Sequence, residues 1–277
     1  MAVAQFARSP AGFPPTTHLK LTSFLLALGC LSCGPDPEGH SRLRIAAASD
    51  LQFALPAVTE AWGRDHQVNV ETVFGSSGQL AAQLAAGAPF DLFLAADQTY
   101  VDHLASTGVI EPDSVKPYAL GRLVLVVAPD LAAVVRTMND LSKPEVKVIA
   151  LANPEHAPFG KIAKQALERA GVWQVIGSKH VLADSVRQAL QMVESGNADV
   201  ALVSRSLTAR GLRGQVIELD DSLHDPLIQA LGVVRNSPHA EQAKQFATFL
   251  VSEKGRKTLV EAGLDPAGGP PTRPAPP

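Results

Sequence analysis

The order of apolar and polar positions predicts a series of strand and helix units over residues 43–106. Apolar strands are expected at 43–48 and 90–95, and an alternating strand at 68–74 lies between them. Each strand is followed by apolar residues at helical spacing, the last of them over 97–106. Alternating strands and helices predict a doubly wound α/β lobe, in which a ligand lies beyond the carboxyl ends of the strands.

A second series of strands and helices follows the β-branched run 123–128. Strands are expected at 147–150, 180–182, 199–203, 215–219 and 226–234, and the last two helices at 238–251 and 253–262. Two similar series predict two lobes, the first formed by 42–122 with 234–266 and the second by 123–233. Because the chain crosses between the lobes twice, they could close on a ligand about a hinge.

The segment Phe74-Gly75-Ser76-Ser77-Gly78 is expected to form a turn between a strand and a helix. The first N–H groups of a helix have no partner inside it and lie at the positive end of its dipole. Serine hydroxyls beside those groups indicate an anion site, and the glycines allow a close approach. Taken alone, the turn is explained better by Ser76 or Ser77 merely capping the helix.

Four such turns, two from each predicted lobe, would direct their donors into one cleft. The positions concerned are Ser49, Ser77, Phe159 and Val186. A charge-assisted hydrogen bond contributes about 1.5 to 3 kcal/mol, so several donors would suffice for micromolar or tighter binding after the costs of association. The pattern therefore predicts a bound oxyanion.

The amino-acid composition of the chain limits the classes of molecule that it could bind. The chain has 277 residues, 46% hydrophobic and 18% charged, which is ordinary for a globular protein. A net charge of -3 predicts that the protein binds neither nucleic acid nor an anionic membrane surface. No DNA-binding helix pair is evident, which argues against the sensing domain of a regulator.

The amino-terminal segment has the features of an export signal. Arg8, His18 and Lys20 precede the apolar run 21–29, which suits a secretory signal better than a spanning helix. We therefore expect a leader over 1–33 and a periplasmic or other extracytoplasmic location. At the other end, residues 267–277 are expected to be a disordered Pro-rich tail.

Cys30 and Cys33 are the only cysteines, and both follow that apolar run. Their spacing permits a disulfide or half of a metal site, although two cysteines supply only two of four ligands. Their placement also resembles a bacterial lipoprotein signal, in which a cysteine becomes lipidated after cleavage. A lipid anchor and a cleaved soluble form both remain open.

Several motifs together resemble the periplasmic molybdate-binding proteins of ATP-driven molybdate importers. They are Ala46-Ala47-Ala48-Ser49, Phe74-Gly75-Ser76-Ser77-Gly78, Gly87-Ala88-Pro89-Phe90-Asp91-Leu92-Phe93, Ala95-Ala96-Asp97, Asn153-Pro154-Glu155-His156-Ala157-Pro158-Phe159-Gly160 and Asp184-Ser185-Val186-Arg187-Gln188-Ala189-Leu190. They occur in the family's order, and the resemblance spans about residues 42–264.

The resemblance implies a two-lobed solute-binding fold of type II with the ligand in the cleft between the lobes. It implies that Ser49 and Ser77 donate through hydroxyl and amide groups, and Phe159 and Val186 through backbone amides. Molybdenum would be bound through these residues as the molybdate oxyanion, and tungstate is equally compatible. The implied protein is a monomer without catalysis or cofactor, and its partner is the membrane subunit of an ABC permease.

The sequence departs from the family at a tyrosine that often adds a further hydroxyl, because Ser204 occupies that position. Ser204 would either reach the ligand through water or leave the site with fewer donors. Asp50 is a weaker candidate, because a carboxylate beside a dianion is repulsive; we expect Asp50 and Asp184 to cap helices instead. Sulfate and phosphate remain alternative ligands, and an aspartate could accept the proton that phosphate retains.

A serine hydrolase is the main alternative of another class. It would require a histidine within hydrogen-bond reach of Ser76 or Ser77, and His156 is the candidate. Gly75-Ser76-Ser77-Gly78 lacks the Gly-x-Ser-x-Gly spacing of a nucleophile elbow. The remaining histidines are scattered without metal-binding spacing, so surface positions are the simpler interpretation.

Overall fold

The computed structural model describes residues 42–267. The expected leader with Cys30 and Cys33, and the tail beyond residue 267, lie outside these residues. None of the helices within 42–267 combines the length and the apolar character needed to cross a membrane.

The described chain alternates strands and helices through most of its length. The strands are β1 (Arg42–Ala48), β2 (Asn69–Gly75), β3 (Leu92–Ala95), β4 (Lys116–Gly121), β5 (Leu123–Val127), β6 (Ile149–Ala152), β7 (His180–Ala183), β8 (Val200–Ser204), β9 (Gln215–Glu218), β10 (Leu227–Val233) and β11 (Asp265–Pro266). The helices are α1 (Leu55–His66), α2 (Ser77–Ala85), α3 (Gln98–Ser106), α4 (Pro158–Arg169), α5 (Trp173–Ile176), α6 (Val186–Glu194), α7 (Ala240–Leu250) and α8 (Glu253–Glu261).

The strands form two sheets, and each sheet is the centre of one lobe. The first has the order β11-β4-β10-β3-β1-β2, and the second has the order β7-β6-β8-β5-β9. In the first sheet β1 pairs in parallel with β2 and β3, and in the second β6 pairs in parallel with β7 and β8. The carboxyl ends of parallel strands therefore lie at one edge of each sheet, where the loops leading to α2, α4 and α6 begin.

The chain passes from the first sheet to the second at Arg122, which separates β4 from β5. It returns after β9, because β10 pairs with β3 and β4 of the first sheet. The return therefore precedes residue 227, whereas the sequence placed the lobe boundary at 233/234. An apolar run such as 226–234 predicts a buried strand, but it carries no information about which sheet accepts the strand.

Most element positions agree with the sequence pattern to within a few residues. An exception is α4, which begins at Pro158 although the loop was expected to continue to Gly160. Proline favours the first position of a helix, because its missing N–H is one that the helix cannot use. The helix start consequently lies closer to the end of β6 than expected.

Candidate functional site

A small cavity lies between the two lobes at the carboxyl ends of the parallel strands. It is lined by Ala48, Ser49, Asp50, Gly75, Ser76, Ser77, Ala96, Ala157, Pro158, Phe159 and Val186. Its volume of about 10 Å³ is close to that swept by one water-sized sphere, far below the size of a pocket for a drug-sized ligand. The cavity therefore excludes a drug-sized ligand.

The two adjacent serines of the first lobe have different roles. Ser76 occupies the N-cap of α2, where its Oγ accepts a hydrogen bond from the Gln79 N–H at 3.4 Å. Ser77 is fully buried, and its Oγ accepts from the Ala96 N–H at 2.9 Å. Because that bond uses the oxygen as an acceptor, the Ser77 hydroxyl proton is left to donate into the cavity. This turn therefore combines a helix cap at Ser76 with a buried serine hydroxyl at Ser77.

Ser49 lies beside them at the end of β1. It is 4% exposed and begins the short 3-10 turn Ser49–Leu51. Ser49 lines the cavity at the end of β1, and Ser76 and Ser77 line it directly after β2. The first lobe thus places serines at the ends of two successive strands.

The second lobe supplies the start of α4. Its N-cap is Ala157, and the first bond that closes a helical turn runs from the Lys161 N–H to the Ala157 carbonyl at 3.1 Å. The Phe159 N–H therefore precedes the first closed turn and faces the cavity end of the helix. A Cβ on Gly160 would lie 2.2 Å from the Ala152 carbonyl oxygen, so glycine allows α4 to pack this closely on β6.

The start of α6 is the second helix end at the cavity. Val186 is its first residue, and Ser185 caps it by accepting from the Gln188 N–H at 3.3 Å. The expectation that Asp184 would cap this helix is wrong. Asp184 is exposed and its N–H donates to Gln188 Oε1 at 2.9 Å, because the extended backbone of Ser185, with φ -148°, places the serine oxygen at the capping position.

Asp50 differs from the other groups on the cavity wall because its carboxylate is an acceptor. It is fully buried, and its Oδ2 accepts from Gln229 Nε2 at 2.7 Å. Within residues 42–267 its Oδ1 is buried without a hydrogen-bond partner. Burial raises the pKa of Asp50 to about 6, against the lowering effects of the Gln229 bond and of its own backbone N–H.

The expectation that Asp50 would cap the following helix is also wrong. The turn Ser49–Leu51 has no side-chain cap, and α1 begins only at Leu55 with Ala54 at its N-cap. The unpaired N–H groups of α1 are therefore several residues away from Asp50 along the chain. The carboxyl turns instead towards β10 and Gln229.

Ser204 is not among the residues that line the cavity. Its Oγ lies 2.8 Å from Ser206 Oγ, and Ser206 donates to the Asp50 carbonyl at 2.8 Å. Because Ser206 has used its proton, Ser204 must be the donor in the bond between them. The two serines thus support the Asp50 turn from the other lobe, and no sequence signal had indicated Ser206.

Ser76 and His156 form the histidine contact that the hydrolase alternative required. Ser76 Oγ lies 3.0 Å from His156 Nδ1, and the Gly78 N–H donates to the His156 carbonyl at 2.9 Å. A Cβ on Gly78 would come within 2.7 Å of that carbonyl oxygen. Since the described residues show no carboxylate bonded to the other His156 nitrogen, the contact has the form of a bridge between lobes rather than of a catalytic triad.

A second bridge between the lobes surrounds Phe53. The guanidinium carbons of Arg187 and Arg210, both in the second lobe, lie 5.1 Å and 5.2 Å from the centre of the Phe53 ring. Arg210 Nη2 also donates to the Phe53 carbonyl at 3.1 Å. Cation–π contacts of this kind stabilise the arrangement in which the second lobe contacts the segment that follows Ser49 and Asp50.

Ion pairs join the two crossing segments of the chain. Arg122, at the first crossing, pairs with Asp221 at the second and with Asp265 at 2.5 Å. Arg205 of the second lobe also pairs with Asp265, which is 1% exposed. In residues 42–267 no group of three or more His, Cys, Asp or Glu side chains is placed to hold a metal ion.

Fold and cavity together define a two-lobed solute-binding protein of type II. The chain matches the family of bacterial extracellular solute-binding proteins over residues 43–265, and it belongs to that family. Members of this family bind solutes outside the cytoplasm and are not enzymes. The protein is therefore an extracytoplasmic binding protein, and the hydrolase interpretation of Ser76 and His156 is not supported.

Individual relatives cover most of the chain. YvgL of Bacillus subtilis, provisionally named an ABC transporter substrate-binding lipoprotein, is 32% identical over 88% of this chain and 95% of its own length. Molybdate-binding protein ModA of Escherichia coli is 31% identical over 86% of this chain and 94% of its own. The structure of the periplasmic molybdate-binding protein of Azotobacter vinelandii superposes with a TM-score of 0.76 at 27% identity, over 80% of this chain and 98% of that one.

Proposed function

We propose that the protein captures molybdate, and equally tungstate, outside the cytoplasm and delivers it to an ABC permease. The observation that carries this proposal is the convergence of two buried serine hydroxyls and two helix starts on one small cavity. The names of the E. coli and Azotobacter relatives support molybdate as the anion. In this role the protein acts as a monomer and needs no cofactor.

Ser49 and Ser77 donate hydroxyl protons, and Phe159 and Val186 donate backbone N–H groups to the oxygens of the anion. These donors are neutral, so no counter-charge must be desolvated together with the ligand. The metal atom of the anion is surrounded by its own oxygens, and no protein residue is a metal ligand. Ser204 is assigned no contact with the anion, which leaves this site with fewer hydroxyls than the family's usual set.

Transport also requires that the lobes open, because buried residues of both lobes line the cavity. We assign the hinge to the two crossings, at Arg122 and between β9 and β10. The bridges at His156 and Phe53 would break on opening and form again around the ligand. An anchor on Cys30 or Cys33 would retain the protein at the membrane beside its permease, as the name of the Bacillus relative suggests for that protein.

Calorimetric titration of the purified protein with molybdate, tungstate, sulfate and phosphate tests the ligand. We expect one-to-one binding of molybdate and tungstate at micromolar or lower concentration, with no heat from sulfate or phosphate at the same concentrations. Selective binding of sulfate or phosphate would show that the cavity belongs to an oxyanion binder of another specificity. The absence of binding for all four anions would contradict the proposed function.

A further inference from the structure

Asp50 is the one acidic residue among those that line the cavity within residues 42–267. Its side chain is fully buried, and one of its two carboxylate oxygens is satisfied by Gln229. The other oxygen, Oδ1, is buried and has no partner within residues 42–267. A buried carboxylate oxygen without a partner is costly, so the free position needs a proton or a donor.

Within residues 42–267, no neighbouring cation lowers the pKa of Asp50. The titratable and charged side chains on the neighbouring elements are Lys116 and Tyr118 on β4, Glu71 on β2, Arg187 and Glu194 on α6, Arg205 and Arg210 after β8, and His156 before α4. Arg187 pairs with Glu194, Arg205 with Asp265, and Glu71 with Arg42 and Arg44. Arg210 is exposed over Phe53, His156 contacts Ser76, and the Tyr118 hydroxyl donates to the Ala95 carbonyl at 3.2 Å.

Burial also keeps the phenol neutral, because it raises the pKa of Tyr118 well above its ordinary value. The charge of Asp50 is therefore opposed mainly by the Gln229 amide and by backbone dipoles. A dianion that enters this cavity would meet an ionised carboxylate at close range in a medium of low dielectric constant, where repulsion between like charges is strong. Uptake of a proton removes that repulsion and satisfies Oδ1 at the same time.

We propose that Asp50 takes up one proton from solvent when a dianionic oxyanion binds, and that the carboxylic acid then donates a hydrogen bond from Oδ1 to the ligand. The proton adds to the carboxylate oxygen and no covalent bond breaks, so the bound pair carries two negative charges instead of three. This inference rests on the proposed function, because it requires a dianion such as molybdate as the ligand. It also supplies an O–H donor in a site where Ser204 does not replace the family's tyrosine.

Molybdate titrations in two buffers of different ionisation enthalpy count the protons directly. At about pH 7.5, Asp50 in the free protein is mostly ionised, because its pKa is about 6. We expect uptake of about one proton for each molybdate bound. The dissociation constant should rise about tenfold for each pH unit between about pH 7 and pH 8.5, where molybdate itself remains a dianion.

Asp50→Asn provides the matched variant, and Asp184→Asn is its control on the exposed surface. Asp50→Asn should bind molybdate with no proton uptake and with an affinity that is independent of pH over the same range. Asp184→Asn should retain the wild-type proton count and pH slope. Because the wild-type proton count needs no variant, the inference remains testable even if Asp50→Asn folds poorly.

The outcomes separate this inference from the proposed function. Tight molybdate binding with no proton uptake by the wild-type protein would overturn the role of Asp50 and leave the function intact. Binding of hydrogen phosphate without proton uptake, with no binding of molybdate, would overturn both, since the ligand would then bring its own proton to an ionised Asp50. An unchanged pH slope in Asp50→Asn would assign the proton to another group and contradict the inference.

Discussion

The two lobes contribute donors of different kinds to the proposed anion site. The first would present the side-chain hydroxyls of Ser49 and Ser77, and the second would present backbone N–H groups at Phe159 and Val186; all four residues line the cavity. A hydroxyl can rotate and must be held by further bonds, as the Ala96 N–H holds Ser77. A helix start has its direction fixed by the backbone. One lobe of the site therefore depends on side-chain identity, and the other depends on where two helices begin.

This difference explains why apolar residues occur among the proposed ligand contacts. Phe159 and Val186 are buried core residues by their side chains, and in the proposed site they would bind only through the peptide group. Pro158 and Ser185 determine the helix starts and are therefore as important as the donors themselves. Exchange of apolar side chains in the second lobe should matter less than exchange of serines in the first.

Removal of both hydroxyls should have the largest effect. In the variant Ser49→Ala/Ser77→Ala, two charge-assisted bonds of about 1.5 to 3 kcal/mol each are lost, which weakens molybdate binding on the order of 10² to 10⁴-fold. Calorimetry measures the loss. The double variant Ser142→Ala/Ser195→Ala, which removes two exposed hydroxyls, is the control and should bind normally. A loss below about threefold in the cavity variant would show that the hydroxyls do not carry the first lobe's contribution.

Val186→Pro tests the donor that the second lobe provides at α6, because it removes the Val186 N–H and leaves the helix in place. Proline is favoured at the first helical position, and the extended backbone of Ser185 is compatible with a following proline. We expect binding weaker by about 1.5 to 3 kcal/mol, or roughly 10 to 150-fold, than in Val186→Ala, which keeps the N–H. Circular dichroism should show the same helix content in both variants. Equal affinities would exclude the Val186 amide as a donor.

The difference between serine side chains and helix starts also determines how much of the site could be predicted from the sequence. The helix starts at Ser77 and Val186 follow from local patterns, whereas α4, which contains Phe159, begins at Pro158 and not after Gly160 as the sequence pattern predicted. The caps at Asp50 and Asp184 were predicted wrongly, because adjacent residues compete for capping and the backbone angles decide between them. The sheet that accepts β10 could not be predicted either, because an apolar strand is compatible with both.

Contacts with Asp50 from residues far away in the sequence had no local signal at all. Gln229 meets Asp50 across 179 residues of sequence, and Ser206 meets the same residue across 156. Neither Gln229 nor Ser206 belongs to a sequence motif. Their contacts with Asp50 can be recognised only in the folded chain. The proposed proton uptake therefore depends on information that exists only in the folded chain.

The bridge at Phe53 offers the smallest and most specific test of how the lobes are held together. Two cation–π contacts at a partly exposed ring contribute about 0.5 to 1 kcal/mol each, so Phe53→Leu should accelerate molybdate release roughly 5 to 30-fold. The association rate should change little, since the open lobes do not share this contact. Stopped-flow measurement of both rates distinguishes a lost bridge from a damaged donor.

The control is Phe249→Leu, which removes a cation–π contact with Lys254 inside the first lobe and should leave both rates unchanged. Equal acceleration in the two variants would mean that lost packing, and not the contact between lobes, controls release.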